Sequence, residues 1–365
     1  MPYLIDSHED LAYNMLCFGR DYRESALVTR QREENTSIPK RNGHTLLGAL
    51  EYQQGNVRII FGTLFLTPPG NDTPEWDIQC YHDFTSFRQL NQGQISAYTR
   101  LWEEAPDLFA PVRNRQELDW VMKSWDHSPE LDNQKPHPTG IVMLMEGAEG
   151  INKPEELEEW WQAGVRMIGL VWAGGRLCGG THNPGRFTRE GLEFLEVMGQ
   201  LGFTLDISHM SEESAAEALD RYTGPIVATH ANARSLLKTD HRQRQLSDPV
   251  IQMLIGRNGI MGVIPFNHFL DSGYNSTNSR NSIRLEHLVA HIDHVCQLAG
   301  NSLHVGIGTD FDGGFGIPDV PIEIDTIADL HKLVPLLESH GYQSEDVQNI
   351  LGGNWLRHLE RTLPA

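Results

Sequence analysis

Eight short runs punctuate this 365-residue chain, at residues 3–5, 57–66, 141–145, 165–171, 204–207, 226–229, 260–264 and 304–307. Most are continuously apolar, as in Ile141-Val142-Met143-Leu144-Met145. A sheet with one wet face alternates apolar and polar residues, whereas parallel strands covered on both faces read as unbroken apolar segments. Helical stretches lie between the runs. Residues 248–255 begin with Asp248 as an expected N-cap and Pro249 at the first helical position, and Ser211 followed by Glu212 and Glu213 caps another helix. Residues 284–299 place Leu285, Leu288, Ile292, Val295 and Leu298 at helical spacing. His287, His291 and His294 flank that stripe, which favours solvation or packing over metal binding. Strand and helix alternating eight times predict α/β architecture: a (β/α)8 TIM barrel, one domain over residues 1–365, with its chemistry on the loops after the strands.

Several loops on that face are long: 19–43, rich in Arg and Glu; 67–77, with Pro68-Pro69-Gly70; 173–186, rich in Gly; and 271–282, rich in Asn and Ser. They read equally as surface connectors or as lids and specificity loops. Residues 126–140, with Pro129, Pro136 and Pro138, read as a surface linker inside the domain. A formal charge of -20 makes nucleic acid and anionic membranes poor partners. No targeting leader or membrane-length apolar run is evident, so a cytoplasmic location is expected. Cys17, Cys80, Cys178 and Cys296 are scattered without a CxxC pair and are expected to be reduced.

The first run continues as Asp6-Ser7-His8-Glu9-Asp10, and alternation turns His8 and Asp10 to one side with Glu9 facing away. Alone, that spacing describes a surface turn as well as half a metal site. Later runs end in Glu146, His209, His230 and Asp310, which favours the metal site. Glu149 rivals Glu146, and Asp312 stands beside Asp310, where it could instead shape the turn. A carboxylate ending a buried strand is costly unless paired or metal-bound. Three imidazoles and three carboxylates on one rim suit zinc, with nickel, cobalt or manganese as alternatives. Two ions sharing a bridging carboxylate would use them all, with an unligated Asp managing the proton.

Over nearly its whole length, and most specifically from Met145-Glu146-Gly147 to Gly308-Thr309-Asp310-Phe311-Asp312-Gly313, the sequence resembles the membrane (renal) dipeptidases, peptidase family M19, among the amidohydrolase-like metal barrels. The resemblance implies one zinc held by His8, Asp10 and Glu146 and another by Glu146, His209 and His230, with a metal-bridging hydroxide as nucleophile and Asp310 as acid/base. Arg244, in Arg244-Gln245-Leu246-Ser247-Asp248, resembles the family's binder of the substrate C-terminal carboxylate, with Arg242 as a neighbouring rival. The vertebrate branch carries a histidine after strand four, where this chain has Trp172; His182 in the same loop could compensate. No counterpart of the vertebrate leader, disulfides or lipid-anchor tail is expected.

The expected activity is hydrolysis of small dipeptides, L,D- as well as L,L-pairs, by a two-zinc centre. Family members are often dimers, so a homodimer is also an expectation. The rival enzymes are related barrels acting on a non-peptide amide, lactone or phosphoester; their usual His-x-His and bridging lysine are replaced by His8-Glu9-Asp10 and Glu146. A non-catalytic metal-binding barrel would be expected to have lost ligands, and none is missing.

Overall fold

The computed structural model describes residues 1–70, 73–126, 136–238, 244–271, 273–274 and 280–365. Among them are nine strands: β1 (Leu4–Glu9), β2 (Val57–Phe65), β3 (Phe109–Pro111), β4 (Thr139–Glu146), β5 (Val165–Gly169), β6 (Thr204–Asp206), β7 (Ile226–Val227), β8 (Met261–Val263) and β9 (Val305–Ile307). Eight of them run in the order β7-β6-β5-β4-β2-β1-β9-β8, each pair parallel, as the apolar runs predict. The two ends of that path meet through a single bridge, Ala228 to Met261. Ala228 N donates to Ile260 O at 2.9 Å and Gly262 N to Ala228 O at 2.8 Å, closing a (β/α)8 barrel along a thin seam.

β3 has no counterpart among the eight runs. It pairs with Thr139, Gly140 and Ile141, whereas β5 first reaches β4 at Met143, so β3 covers the start of β4 that β5 leaves open. Alternate strand residues fall into two apolar clusters. Ile5, Ile59, Phe61, Val142, Leu144, Met167 and Val227 form one with Trp355 and Leu359. Ile60, Ile141, Met143, Met145 and Leu205 belong to the other, larger one. Trp355, on the helix Asn354–Thr362, donates its indole N–H to Ile307 O at 3.0 Å and meets Phe61 edge-on at 5.3 Å. Only glycine at 306 permits this, since a Cβ there would lie 2.3 Å from the Trp355 ring nitrogen.

Some local expectations shift. The helix at 248 starts with Asp248 as its first residue, after Ser247, and the Asp248 carboxylate accepts from Ser235 Oγ (2.9 Å) instead of capping. Ser211 caps as expected, accepting from Ser214 N. On the helix Leu285–Ala299, His291 is buried and its Nδ1 accepts from Ala233 N at 3.1 Å, while His294 lies 2.8 Å from Asp248 Oδ1. The loop 19–43 is not a loose connector, and its Arg41 and Asn42 border the cavity over the candidate site. It carries the helices Ala26–Glu33 and Ile38–Asn42, and its Arg20 is buried between Glu33 and Asp312 at 2.9 Å from each. Of the linker at 126–140 and the loops at 67–77 and 271–282, residues 127–135, 71–72, 272 and 275–279 lie outside the described residues. All four cysteines are free, and no described helix is long and apolar enough to cross a membrane.

Candidate metal centre

The barrel brings the six predicted groups to one rim, each at the end of a strand. Within β1 the ladder to β2 is irregular between Asp6 and Glu9. Ser7 Oγ reaches across the lumen to Thr229 O (2.6 Å) and to Ile307 O on the neighbouring β9 (2.9 Å), whereas Glu9 turns outward and accepts from the Tyr52 hydroxyl. His8 and Asp10 are left facing Glu146, the last residue of β4. His209 and His230 follow β6 and β7, and Asp310 follows β9. Asp310 and Asp312 both hold left-handed backbone, at φ 57° and 63°, a region that short polar side chains tolerate better than most.

Glu146 is the hub. Its Oε1 lies 2.8 Å from His209 Nε2 and 3.2 Å from His230 Nε2, and its Oε2 lies 3.7 Å from His8 Nε2. Asp310 Oδ1 stands 3.8 Å from His8 Nε2. Three sets of donor atoms each fall within 4.8 Å of one another: His8, Asp10 and Glu146; Glu146, His209 and His230; and His8, His230 and Asp310. His8 Nε2 and Asp10 Oδ1 are buried with no hydrogen-bond partner among the described residues. Buried polar atoms normally have partners, so two orphans aimed into one cluster of nitrogen and carboxylate donors fit a bound divalent cation.

The electrostatics agree. Burial drives His209 down to about 4, helped by the Arg244 guanidinium, and takes His230 well below its ordinary value. Burial raises Asp310 to about 7 and Asp10 well above the carboxylate range. His8 departs from this pattern: burial would depress it, but Glu146, Asp310 and Asp10 outweigh that and hold it at about 10. Against burial, His8 and His209 keep Glu146 well below its usual value. Carboxylates this crowded require positive charge; without an ion, a proton on His8 provides it, and a divalent ion would do so with no proton.

A cavity of about 520 Å³ opens over these groups, bordered by Arg244, Trp172 and His182. Arg244 is buried, its Nη1 donating to Ser208 O (3.0 Å) and His230 O (3.1 Å). Its rival Arg242 lies outside the described residues. Trp172 packs 5.8 Å from the His209 ring and 5.4 Å from that of His182, so the indole sits against a candidate ligand. Glu149 belongs to none of the three donor sets. Asp312 shapes the turn: its carboxylate accepts from Arg20 (2.9 Å), Tyr22 (2.7 Å), Thr45 Oγ1 (2.6 Å) and Leu46 N (3.1 Å).

Two sets of residues escaped the sequence reading. One is the cavity's aromatic wall, with Tyr13, Phe65 and Trp76 toward one end and Phe266, Phe269 and Phe315 near Arg244. The other is Asp206 with Thr229, buried behind the histidines. A lone Asp inside an apolar run signalled the second; nothing in spacing signals the first.

A parallel barrel carrying clustered imidazoles and carboxylates at the strand ends defines a metal-dependent hydrolase of the TIM-barrel class. The family model described as "Membrane dipeptidase (Peptidase family M19)" matches residues 2–363. The chain belongs to that family and is a metal-dependent dipeptidase. Dipeptidase verJ of Clonostachys rogersoniana is 24% identical over 366 residues, covering 98% of this chain and 83% of that protein. A Klebsiella pneumoniae protein described as "Uncharacterized protein in pqqA 5'region" is 31% identical over 231 residues, 60% of this chain and 81% of its own length. Among solved structures, "dipeptidase AC" superposes with TM-score 0.76 at 21% identity, covering 100% of this chain and 99% of that one. A metallo peptidase from Rhodobacter sphaeroides, liganded with a phosphinate mimic of L-Ala-D-Ala, also gives TM-score 0.76 at 21% identity, with 99% of each chain covered. At these identities the structures speak for the fold.

Proposed function

We propose that this protein hydrolyses the single peptide bond of small dipeptides, L,D- as well as L,L-pairs, at a centre of two zinc ions. The observation that carries the reading is Glu146, which belongs to two donor sets at once and so supplies the shared carboxylate that a pair of ions needs. His8 and Asp10 complete one side; His209 and His230 complete the other. Mixed imidazole and carboxylate donors suit zinc, and other divalent transition metals remain within the same chemistry. Bound there, such ions supply an activated water at neutral pH and polarise the scissile carbonyl.

The protein's own groups do the rest. Asp310, at the rim with its Oδ1 3.8 Å from His8 Nε2, is placed to take a proton from the attacking water and pass it to the leaving amine. Arg244, at the cavity wall, holds the C-terminal carboxylate with its planar fork. Trp172 stands where the vertebrate branch has a histidine; its indole N–H can donate to the polarised oxygen without carrying charge. Arg244 and the metal centre bound the substrate at two points, which limits its length to a dipeptide. The ligand of the Rhodobacter sphaeroides protein motivates the L,D-pairs.

The test is metal-replete protein of measured metal content, incubated with a panel of L,L- and L,D-dipeptides, with released amino acids quantified. Turnover of dipeptides with about two ions per chain, and its loss in His209→Ala, is the expected result. Release no higher than in that variant across the whole panel overturns the reading.

A further inference from the structure

We infer that Thr229, anchored by Asp206, is a positioning residue that sets the tautomer of two candidate metal ligands, His8 and His230, with one hydroxyl. The inference rests on the metal-centre reading above, and the experiment below separates the two.

Each hydroxyl carries one proton, and its destination decides the tautomers. Thr229 Oγ1 lies 2.6 Å from Asp206 Oδ2, so the hydroxyl's single proton is committed to that carboxylate. Asp206 Oδ1 is occupied by Thr229 N (3.0 Å), Ser208 N (3.0 Å) and Ser208 Oγ (2.6 Å). Ser208 thus spends its own proton on Asp206 as well. Thr229 Oγ1 retains only acceptor capacity, and two ring nitrogens face it: His230 Nδ1 at 2.9 Å and His8 Nδ1 at 3.3 Å. Each can bond only by donating, so each neutral ring carries its proton on Nδ1 and presents a bare Nε2. Those Nε2 atoms point into the centre. His230 Nε2 lies 3.2 Å from Glu146 Oε1 and 3.0 Å from His209 Nε2, and His8 Nε2 is the orphan described above.

Metal-binding histidines commonly donate the second ring N–H straight to a carboxylate, one partner for each ring. Here Asp206 acts through a hydroxyl that serves two rings at once, 222 residues apart in sequence, their centroids 3.7 Å apart and their planes tilted by 37°. Thr229 is itself held firmly, since its carbonyl accepts from Ser7 Oγ at 2.6 Å. A Cβ at Gly262 or Gly308 would lie 2.0 or 1.9 Å from that carbonyl oxygen, so glycine in β8 and glycine just after β9 are both needed to admit it. The barrel also offers an internal control. Asp6 accepts from Thr309 N (2.7 Å) and Thr309 Oγ1 in the same way, but no imidazole bonds Thr309 among the described residues.

The test compares wild type, Thr229→Val, Thr229→Ser and Thr309→Val for zinc affinity by chelator competition, with metal content by elemental analysis. Thr229→Val keeps the shape, removes the acceptor, and should weaken zinc binding by about ten- to a hundredfold. Thr229→Ser should restore it, and Thr309→Val should leave it near wild type. Thr229→Val binding zinc as tightly as wild type, or Thr309→Val weakening it equally, overturns the inference. A wild type that takes up no metal overturns this and the metal-centre reading together. Histidine-selective 15N spectra of zinc-loaded wild type need no variant. Protons on Nδ1 of both rings are expected; a proton on Nε2 of either ring overturns the inference.

Discussion

Among the described residues Glu146 comes within 3.7 Å of three imidazoles, whereas its neighbour in space, Asp310, comes comparably near only to His8, at 3.8 Å. That difference separates their roles in mutagenesis. Asp310→Asn should keep its zinc by elemental analysis yet lose about 10²- to 10⁴-fold in kcat, the range of a lost general acid/base. Glu146→Gln should lose zinc as well as turnover. Arg244 belongs to binding: Arg244→Ala should raise KM about ten- to a hundredfold, the cost of a charge-assisted pair, with a smaller change in kcat. Because Arg244 Nη1 also supports the carbonyls of Ser208 and His230, the parallel measurement is wild type on a C-terminally amidated dipeptide, which should show the same KM loss. Glu146 and Asp310 were legible in the sequence because each ends an apolar run, whereas Arg244 was legible only through the family resemblance of residues 244–248. Glu146 could be weighed against Glu149 only by position, and geometry makes the choice. The aromatic wall was illegible for a physical reason: Tyr13, Phe65 and Phe266 come from three distant segments, and any one of them reads as ordinary core.

Short strands such as β6 and β7 owe their place to neighbours more than to propensity. β1 shows this most clearly. Apolar character stops at Ile5, but the strand continues to Glu9, because Asp6 and Ser7 find buried partners in Ile307 and Thr309 on the neighbouring β9 side and in Thr229 across the barrel. A pattern of hydrophobicity ends where those bonds begin, so sequence reading placed the first two residues of the strand and missed the other four. β3 escaped it entirely, being three residues that end in proline and pair only with the open start of β4. Glycines carry opposite predictions at this scale. Gly93 lies inside the helix Phe84–Glu104, and a Cβ there would meet nothing within 4 Å, so Gly93→Ala should stabilise by about 0.5–1 kcal/mol in urea denaturation. Gly308→Ala would place its Cβ 1.9 Å from Thr229 O and 2.7 Å from Ser7 Oγ, and should cost about 3 kcal/mol or more, read by the same denaturation. A neutral Gly308→Ala would contradict the close approach.

The molecule as a whole buries histidines away from the metal centre, and this fixes its behaviour in acid. Burial depresses His291 from 6.5 to about 4 and His358 from 6.5 to about 3. Above pH 6.5 both are neutral in the folded and unfolded chain and pH has no effect through them. Below it the unfolded chain binds protons that the folded one refuses, so stability falls until the folded values are reached. The loss is roughly 3 kcal/mol for His291 and somewhat more for His358. Urea midpoints should fall between about pH 7 and pH 5, and less so in His291→Gln, whose amide oxygen can still accept from Ala233 N. The seam between β7 and β8 matters at the same scale. Its few bonds run through Ala228 and Gly262, two residues from His230, and His230 shares Glu146 and the Thr229 hydroxyl with ligands on the far wall. An ion held by β1, β4 and the segments after β6 and β7, as proposed, would therefore tie the barrel's thinnest join to its broadest ladders. Amide exchange at Ala228 and Gly262 should slow on zinc loading while the β2–β4 ladder changes little, making the seam's opening a clock for metal occupancy.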